Sequence, residues 1–508
     1  MTVVTPDHEV AIIGAGLSGI GVGTALRRAG IEDFVIYERA DDVGGTWRDN
    51  TYPGVGVDIP TFAYQFSYEL KPDWSRVFAR GAEVKQYVDD YVAKYGIRPY
   101  IEFGSDVTER VWDEDEQLWR LTINGSREVT ARFVISAIGA FVDPKPVEID
   151  GLDSFAGKII HSARWDHDYS LSGKRVAIVG TGASAVQIIP ILAREVAQLD
   201  VYQRTPIWVS PKFDPPIPEP VKRLFERVPL AQRLTFGVAT AVTEFILVNM
   251  VVHYDRLPFV VRAVERSNKR FIAASVRDPE LRRKLTPDYN FGCKRPSTSN
   301  TYLAAFNRDN VELITDRVER VTATGITTPA GERPVDAIVL ATGFYLASAP
   351  ENYRTRPVRG RDGFDLATHY AEHRLKAYES ITMPGLPNHF MIFGPYGWTG
   401  ASWHVLVESA SRHIVRVIDE CRRRGASEVE VTQEATDRYH EFVMERMSKA
   451  LWYGASCATA NSYYYDHHGD TPYLRPTSGR AAHHAARTFP ISDYRFTMPA
   501  REPAAAAA

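Results

Sequence analysis

The chain has 508 residues, 44% of them hydrophobic and 24% charged, and a formal net charge of −3. Its length exceeds what one hydrophobic core serves and predicts about three domains or subdomains. The composition is that of an ordinary globular protein, and the slight acidic excess excludes the global basic field typical of nucleic-acid binding.

The three cysteines, Cys293, Cys421 and Cys457, lie far apart in the sequence. Their spacing fits no CxxC motif, no metal site and no disulfide framework, so we expect a reducing compartment, the cytoplasm. The first ten residues include Asp7 and Glu9 and no apolar core of a signal peptide, which agrees with that expectation.

The first elements form a strand–turn–helix unit. An apolar strand at 10–13 runs into Gly14-Ala15-Gly16-Leu17-Ser18-Gly19, and a helix at 20–29 and a second strand at 34–37 follow. In such a unit the first glycine makes the turn, the second admits a pyrophosphate and the third lets helix and strand approach closely. Glu38 ends the second strand, where an acid accepts hydrogen bonds from a ribose hydroxyl. The unit predicts a dinucleotide site.

A glycine- and proline-rich stretch follows, from Gly44-Gly45-Thr46-Trp47 to Tyr52-Pro53-Gly54 and Asp58. By composition alone it would be a surface loop. A later apolar strand at 132–139 ends at Gly139, and Asp143-Pro144 breaks the chain there. We place the first domain boundary after residue 143.

A second strand–turn–helix unit begins at 175–179 and reads Gly180-Thr181-Gly182-Ala183-Ser184-Ala185. Its second strand, at 200–203, ends at Arg204, where the first unit has Glu38. A guanidinium at this point binds a 2′-phosphate that an acid would repel. The first unit therefore suits a dinucleotide with a free ribose hydroxyl, and the second suits NADPH.

Residues 211–290 interrupt the nucleotide pattern and are mainly helical in character. The long apolar run at 236–252 contains Glu244 and Asn249, which argue against a membrane-spanning helix. We expect a buried or tunnel-lining helix. Monotopic contact with a membrane, aided by Arg233 and Arg256, is the weaker alternative.

The stretch between the two units has the pattern Phe155-x-Gly157-x-x-x-His161-x-x-x-Trp165-Asp166. It resembles the fingerprint of type I Baeyer–Villiger monooxygenases, flavoenzymes that insert oxygen beside a ketone carbonyl. The stretch from Gly44 to Asp58 is similar to a second signature of that family at every fixed position. Flavin monooxygenases that oxidise nitrogen or sulfur usually end the fingerprint in Tyr or Phe.

The resemblance implies an α/β fold with two Rossmann-like dinucleotide-binding domains, for FAD and NADP(H). The second domain is inserted into the first and itself carries a mainly helical insertion. The expected segments are 1–143 and 335–508 for the FAD domain, 144–210 and 291–334 for the NADP domain, and 211–290 for the insertion. Residues 155–166 would be a linker between the domains.

Particular roles follow from the resemblance. A Lys-Arg pair ahead of a Phe-Asn-Arg-Asp-Asn-Val stretch carries the family's active-site arginine, so Arg295 is the expected catalytic residue, with Asp58 beside it. Lys294 joins Arg204 at the 2′-phosphate. The expected cofactor-binding residues are Gly14, Gly16, Ser18, Gly19, Glu38, Gly45, Thr46, Trp47, Asp58, Tyr64, Val107, Gly139, Gly180, Thr181, Gly182, Ala183, Ser184, Arg204, Thr205, Lys294, Arg295 and His404.

One position departs from the family pattern. Many members have Ser-Trp-Tyr on a mobile loop over the nicotinamide, and this chain has Ser462-Tyr463-Tyr464. We expect Tyr463 to stand in for the tryptophan.

The implied reaction uses NADPH, O2 and a small ketone, which becomes an ester or lactone. Reduced flavin forms a C4a-peroxide that must stay deprotonated to attack a carbonyl carbon. A fixed positive charge favours that anion, and arginine suits the role because it does not lose its proton. His161 would lie outside the chemical centre and couple domain movement to cofactor binding.

Three other classes are weighed against this interpretation. A flavin monooxygenase of nitrogen or sulfur is the alternative, and sulfoxidation is compatible as a side activity. A pyridine-nucleotide disulfide reductase needs a cysteine pair near the first flavin loop, and no cysteine precedes Cys293. Two intact nucleotide sites argue against a non-enzymatic interaction protein. Cyclic, linear and aryl ketones all remain open as substrates.

Overall fold

Two β-sheets organise the chain, one mixed and one entirely parallel, and each contains a strand that is followed by one of the glycine-rich turns. The computed structural model describes residues 5–499.

The first domain is built around β1, whose strand residues from Val10 onward are all buried. It pairs in parallel with β2 on one side and β6 on the other. Strands covered on both faces are expected to be continuously apolar, as this one is. The elements up to residue 136 are β1 (His8–Ile13), α1 (Leu17–Arg28), β2 (Phe34–Tyr37), α2 (Thr46–Asp49), α3 (Gly81–Tyr95), β3 (Ile101–Glu102), β4 (Val107–Asp113), β5 (Leu118–Ile123) and β6 (Arg127–Ser136).

The chain then passes into the second domain. Its elements up to residue 202 are β7 (Phe141–Pro144), β8 (Lys158–His161), β9 (Arg175–Val179), α4 (Ala183–Glu195) and β10 (Gln198–Tyr202). The domain boundary expected after residue 143 falls within β7. Residues 155–166, expected as a linker, contribute β8 to the second sheet: its backbone pairs in parallel with the later strand at 337–340, and Ile160 is buried.

Residues 211–290 are mainly helical. The elements of this segment and the two short strands that bracket it are β11 (Val209–Ser210), α5 (Glu219–Arg227), α6 (Pro229–Glu244), α7 (Met250–Val252), α8 (Pro258–Ser275), α9 (Pro279–Leu285) and β12 (Ser297–Thr298). A turn of π-helix, Phe245–Asn249, joins α6 to α7. The expectation that this apolar run is buried is wrong for α6, which exposes valines and leucines along one face. Among the described residues no helix is both long and apolar enough to cross a membrane.

The second sheet closes after the insertion. The next elements are α10 (Tyr302–Ala305), β13 (Val311–Ile314), β14 (Arg320–Val321), β15 (Gly325–Thr328), β16 (Gly331–Pro334) and β17 (Ala337–Leu340). The strand order is β13-β10-β9-β17-β8, all parallel, and β14–β16 form a separate antiparallel sheet. Because β17 pairs with β8 and β9, the second domain extends past the expected limit at residue 334.

The chain then returns to the first domain, as expected. The remaining elements are β18 (Phe344–Leu346), α11 (Pro350–Thr355), β19 (Val358–Arg359), α12 (Leu366–Glu372), β20 (His389–Met391), α13 (Trp403–Arg424), β21 (Glu428–Val431), α14 (Gln433–Met447), α15 (Gly479–Thr488) and β22 (Tyr494–Thr497). The first sheet runs β19-β4-β5-β6-β1-β2-β3, with β20 also paired to β6. The outgoing and returning connections, β7 and β18, pair with each other and form a two-stranded link between the domains.

Candidate active site

A cavity of about 1990 Å³ lies between the two domains. Pockets for one drug-sized ligand measure roughly 300–1,000 Å³, so this space suits two large ligands together. Most of the residues expected from the sequence line it: Gly14, Gly16, Ser18, Glu38, Gly45, Thr46, Trp47, Asp58, Tyr64, Val107, Gly139, Gly180, Thr181, Gly182, Ala183, Ser184, Arg204, Thr205, Lys294 and Arg295. Gly19 and His404 lie outside this lining.

The first glycine-rich turn has the geometry that its sequence requires. Gly14 has φ +102°, a conformation that side chains other than glycine rarely adopt. A Cβ on Gly19 would lie 1.8 Å from the carbonyl oxygen of Gly14. Gly19 therefore acts behind the cavity wall, where it allows α1 to approach β1 closely enough for the helix N-terminus to face the cavity.

Glu38 lies at the carboxyl end of β2 and is buried. Its carboxylate accepts hydrogen bonds from the N–H of Ala15 at 2.8 Å and of Ala40 at 3.0 Å. The guanidinium of Arg48 lies 3.0 Å from the same carboxylate. These contacts hold the carboxylate against the glycine-rich turn, where a ribose is expected.

Trp47 and Tyr64 form one aromatic unit in the cavity wall. The Trp47 indole N–H donates to the Tyr64 hydroxyl at 2.9 Å, and the rings meet edge to face with centroids 5.5 Å apart. Burial raises the pKa of Tyr64, so the phenol stays neutral and remains an acceptor for the indole.

Asp58 and Arg295 form a bidentate ion pair across the cavity. Arg295 Nε and Nη2 donate to the two carboxylate oxygens at 2.7 and 2.9 Å. Burial alone would raise the pKa of Asp58, but the neighbouring guanidinium outweighs it and leaves the pKa of that carboxyl below its ordinary value. The carboxylate in turn raises the pKa of Arg295 well above its ordinary value in spite of burial. Both groups are therefore charged, and the fork geometry fixes the guanidinium plane.

Two positively charged side chains line the cavity together with the second glycine-rich turn, residues 180–185. Arg204 follows β10 and Lys294 precedes Arg295, and both line the cavity. Neither forms a salt bridge with any residue between 5 and 499. Burial and the positive charge of Arg204 lower the pKa of Lys294 to about 8. Two unpaired like charges held close together form a site for an anion.

Tyr463 lies in the cavity wall on the C-terminal loop. Its ring meets Phe141 on β7 edge to face, with centroids 5.7 Å apart. Its hydroxyl is buried and has no hydrogen-bond partner in the part of the chain that the structure describes. The side chain therefore touches both the cavity and the link between the domains.

Cys293 and Cys457 form a disulfide with their Cα atoms 5.1 Å apart. The expectation of no disulfide is wrong, because a separation of 164 residues gives no local signal. The cysteines therefore do not support the expectation of a reducing compartment. The bond ties the loop that carries Lys294 and Arg295 to the C-terminal loop, and the Trp452 indole N–H, which donates to the Gly292 carbonyl at 2.8 Å, adds a second tie.

His161 ends β8 behind the cavity wall. Its Nδ1 accepts from the Ala163 N–H at 3.1 Å, and its ring meets Phe344 on β18 with centroids 6.2 Å apart. Its Nε2 is buried without a partner among residues 5–499. Burial lowers the pKa of His161, so the ring is neutral and contacts the link between the domains.

His404 does not reach the cavity. It is fully buried behind Tyr64, with ring centroids 4.8 Å apart, and burial lowers its pKa to about 3. The preceding residue, Trp403, lines the cavity instead, and its indole N–H donates to the Ser18 hydroxyl at 2.9 Å. The glycine- and proline-containing stretch at 393–400 precedes α13, and the sequence alone does not show which residue at the start of that helix faces the cavity.

Two further cavity residues escaped the sequence argument. The ring of Trp398 lies 5.4 Å from the Arg295 guanidinium carbon, within cation–π range. Arg110 is buried on β4, and two of its guanidinium nitrogens have no partner in the described part of the chain. Burial lowers the pKa of Arg110 to about 10. Trp398 belongs to the glycine- and proline-containing stretch at 393–400, but nothing in that pattern singles it out, and Arg110 lies in no motif.

Comparison with known proteins identifies relatives of this chain. The family described as pyridine nucleotide-disulphide oxidoreductase matches residues 11–253. A Baeyer–Villiger monooxygenase of Pseudomonas aeruginosa is 39% identical over 93% of this chain and 86% of its own length. One from Streptomyces coelicolor is 36% identical over 97% of this chain and 94% of its own.

A solved structure, that of OTEMO in complex with FAD and NADP, superposes with a TM-score of 0.85 at 27% identity, covering 97% of this chain and 100% of that one. Identity above 30% over most of two curated relatives, together with a shared two-domain fold, establishes the family. The chain belongs to the Baeyer–Villiger monooxygenases.

Proposed function

We propose that this protein is an FAD- and NADPH-dependent monooxygenase that inserts an oxygen atom next to the carbonyl of a small ketone, giving an ester or lactone. The observation that carries the proposal is the bidentate Asp58–Arg295 pair, which lies on a cavity faced by both glycine-rich turns.

The residues of the first domain fit FAD. The turn at Gly14 and Gly16 leaves room for a pyrophosphate at the N-terminus of α1, and Glu38 is held beside it for a ribose. Trp47 and Tyr64 provide an aromatic wall further along the cavity. Arg110 is buried near Val107, has N–H groups without partners among residues 5–499, and offers donors at the other side of the same cavity.

The residues of the second domain fit NADPH. The unpaired charges of Arg204 and Lys294 suit the 2′-phosphate that distinguishes NADPH from NADH. When bound, the two cofactors together supply the hydride, the flavin and the activation of O2. The chain's own part is to position them and to control charge at the reacting carbonyl.

Arg295 would provide that control. Negative charge develops on oxygen as a carbonyl carbon is attacked, and a fixed cation in a partly dry cavity stabilises it. The carboxylate of Asp58 keeps the guanidinium in one orientation and charged. Oxidation of a soft sulfur or nitrogen develops no such anion on the substrate, so the pair favours ketone chemistry over that alternative.

The same pair leaves part of the guanidinium for the reaction. Nε and Nη2 are engaged by Asp58, which leaves Nη1 as the nitrogen not used in the pair. Trp398 covers the guanidinium face at 5.4 Å. Nη1 of Arg295 would therefore donate to the oxygen of the substrate.

Domain movement would bring nicotinamide and ketone to this point in turn. The antiparallel pair β7–β18 connects the domains, and both His161 and Tyr463 contact it through Phe344 and Phe141. A change in the angle between the domains would therefore alter the contacts of both side chains. They would link occupancy of the nicotinamide site to the position of the C-terminal loop.

The test compares Arg295→Ala with wild type in the FAD-loaded enzyme. We expect ketone turnover to fall by about 10²–10³, the usual effect of removing one transition-state charge partner, while FAD content remains normal. NADPH consumption should continue without ester formation. Arg317→Ala is the matched control, because Arg317 also lines the cavity and is not part of an ion pair among the described residues.

Ketone and sulfide panels are assayed side by side. Ester formation at the wild-type rate by Arg295→Ala would show that Arg295 has no catalytic role. Turnover of sulfides but of no ketone by the wild type would replace the proposal with heteroatom oxidation.

A further inference from the structure

A continuous apolar stripe runs along the outer face of α6. Leu230, Leu234, Val238 and Val242 follow one another at four-residue intervals, which places them in one stripe. Phe245 and Ile246 extend it into the π-helical turn. These six side chains are between 44% and 65% exposed. The stripe spans about 24 Å at 1.5 Å per residue.

The orientation of α6 is the reverse of that in an ordinary surface helix. Its buried positions include the polar Gln232 and Thr243. Glu244 also turns away from the stripe and accepts a hydrogen bond from the N–H of Gly479 at the start of α15. Arg233 is the one charged side chain on the exposed face among the described residues of this helix. Contiguous apolar surface of this kind marks a binding face.

Basic side chains surround the stripe at its amino-terminal end. On α5, Arg223 and Arg227 are exposed next to the exposed apolar Leu224 and Val228, with Glu226 as the exposed acid between them. Neither these arginines nor Arg233 takes part in a salt bridge within residues 5–499.

The same charge bias extends through the insertion. Helix α8 exposes a further basic set, and none of its members is in a salt bridge within the described chain: Arg262, Arg266, Lys269 and Arg270. Residues 211–290 contain fourteen lysines and arginines against nine aspartates and glutamates, although the whole chain carries a net charge of −3. The apolar stripe therefore lies in the basic part of an otherwise acidic protein.

We propose that this face, α5 together with the outer stripe of α6, binds the surface of an anionic lipid bilayer. Apolar side chains along one face of a helix lie at the boundary between headgroups and acyl chains, and adjacent arginines attract anionic headgroups. The helix lies in the interface and does not cross it, consistent with the lack of a helix long and apolar enough to span a membrane in the described chain.

The charge distribution favours a bilayer over a second copy of the chain. A symmetric pair would bring the same face together from both partners, so the arginines around the stripe would be opposed by arginines. An anionic bilayer offers the complementary charge to the same side chains. This proposal does not depend on the chemistry proposed for the cavity.

The test is flotation of the FAD-loaded, full-length protein with vesicles of phosphatidylcholine alone or mixed with phosphatidylglycerol. We expect binding to the anionic vesicles that weakens at high salt. Val238→Glu combined with Val242→Glu should abolish it, because carboxylates would have to enter the acyl boundary. Met498→Glu, the same change at an exposed apolar residue outside the insertion, is the matched control and should bind as wild type does.

The basic residues are tested separately. Arg223→Ser and Arg227→Ser should each weaken partition into anionic vesicles by about fivefold, and Arg223→Lys should restore it. Flavin absorbance of each variant confirms that it is folded. Ketone turnover without vesicles is assayed in parallel and reports on the cavity independently of the membrane face.

Two outcomes would overturn the proposal. One is that no more wild-type protein floats with anionic vesicles than without vesicles, while its flavin content is normal. The other is a dimer in sedimentation equilibrium that the two glutamates convert to monomer, with no vesicle binding by either form. That result would assign the stripe to a second copy of the chain.

Discussion

Lys294 should make the affinity of the enzyme for NADP+ depend on pH. Its pKa in the free protein is lowered to about 8, first by burial and then by the positive charge of Arg204. A bound 2′-phosphate, whose second pKa is about 6, is a dianion throughout the range tested and raises the pKa of Lys294 in the complex. NADP+ therefore binds most tightly below the pKa that Lys294 has in the free protein, and the affinity falls as the pH rises through that pKa.

The size of the effect follows from that pKa. With a value of about 8, Lys294 is charged in about nine-tenths of the molecules at pH 7 and in about one-tenth at pH 9. The dissociation constant for NADP+ should therefore rise about tenfold between these two pH values. Isothermal titration calorimetry of the oxidised holoenzyme with NADP+ measures it directly, because no reaction takes place.

Three comparisons isolate the lysine. NAD+, which lacks the 2′-phosphate, should show no such slope, and Lys294→Arg should bind NADP+ with little change over the range because arginine stays charged. Arg204→Ala should bind more weakly but move the midpoint to higher pH, since the like charge that lowers the pKa of Lys294 is gone. The reasoning would be refuted by Lys294→Met retaining the slope of the wild type.

Three further changes test other parts of the site. Gly19→Ala should give protein with little bound flavin, because the new Cβ would lie 1.8 Å from the Gly14 carbonyl oxygen. Gly237→Ala is the control, since its Cβ would meet no atom within 4 Å. Equal flavin absorbance of the two variants would contradict this expectation. Cys457→Ser should lower the free energy of unfolding, measured by thermal denaturation, by about 2–4 kcal/mol. A reductant should destabilise the wild type by a similar amount and leave the stability of the variant unchanged. His161→Ala should raise the KM for NADPH at least about fivefold with unchanged flavin content, and normal affinity together with normal turnover would remove its coupling role.

Local patterns predicted the nucleotide-binding turns well. In each unit the strand, the glycines and the residue after the second strand lie within one short stretch, so spacing alone fixed where Glu38 and Arg204 lie. The ion pair of Asp58 with Arg295 joins residues 237 positions apart and was expected only through resemblance to a family. Neither spacing nor resemblance predicts the disulfide, because its cysteines are not part of a motif.

The errors have physical causes of a similar kind. An apolar strand ending in glycine looks the same in either sheet, so β17 was assigned to the wrong side of a domain boundary. In α6 the periodicity correctly groups the apolar residues on one face. It contains no information on whether that face points to the core or to the outside, and the structure places it outside.

The Cys293–Cys457 bond makes the segment between these residues a covalent ring. That ring includes β17 of the second domain, β19 and β20 of the first, and the loop with Arg295. A single proteolytic cut inside it therefore releases no fragment: the nicked enzyme migrates as one band without reductant and as two bands with it. The two domains remain covalently joined after such a cut, and the loop with Arg295 stays attached to both pieces through the sulfur bridge.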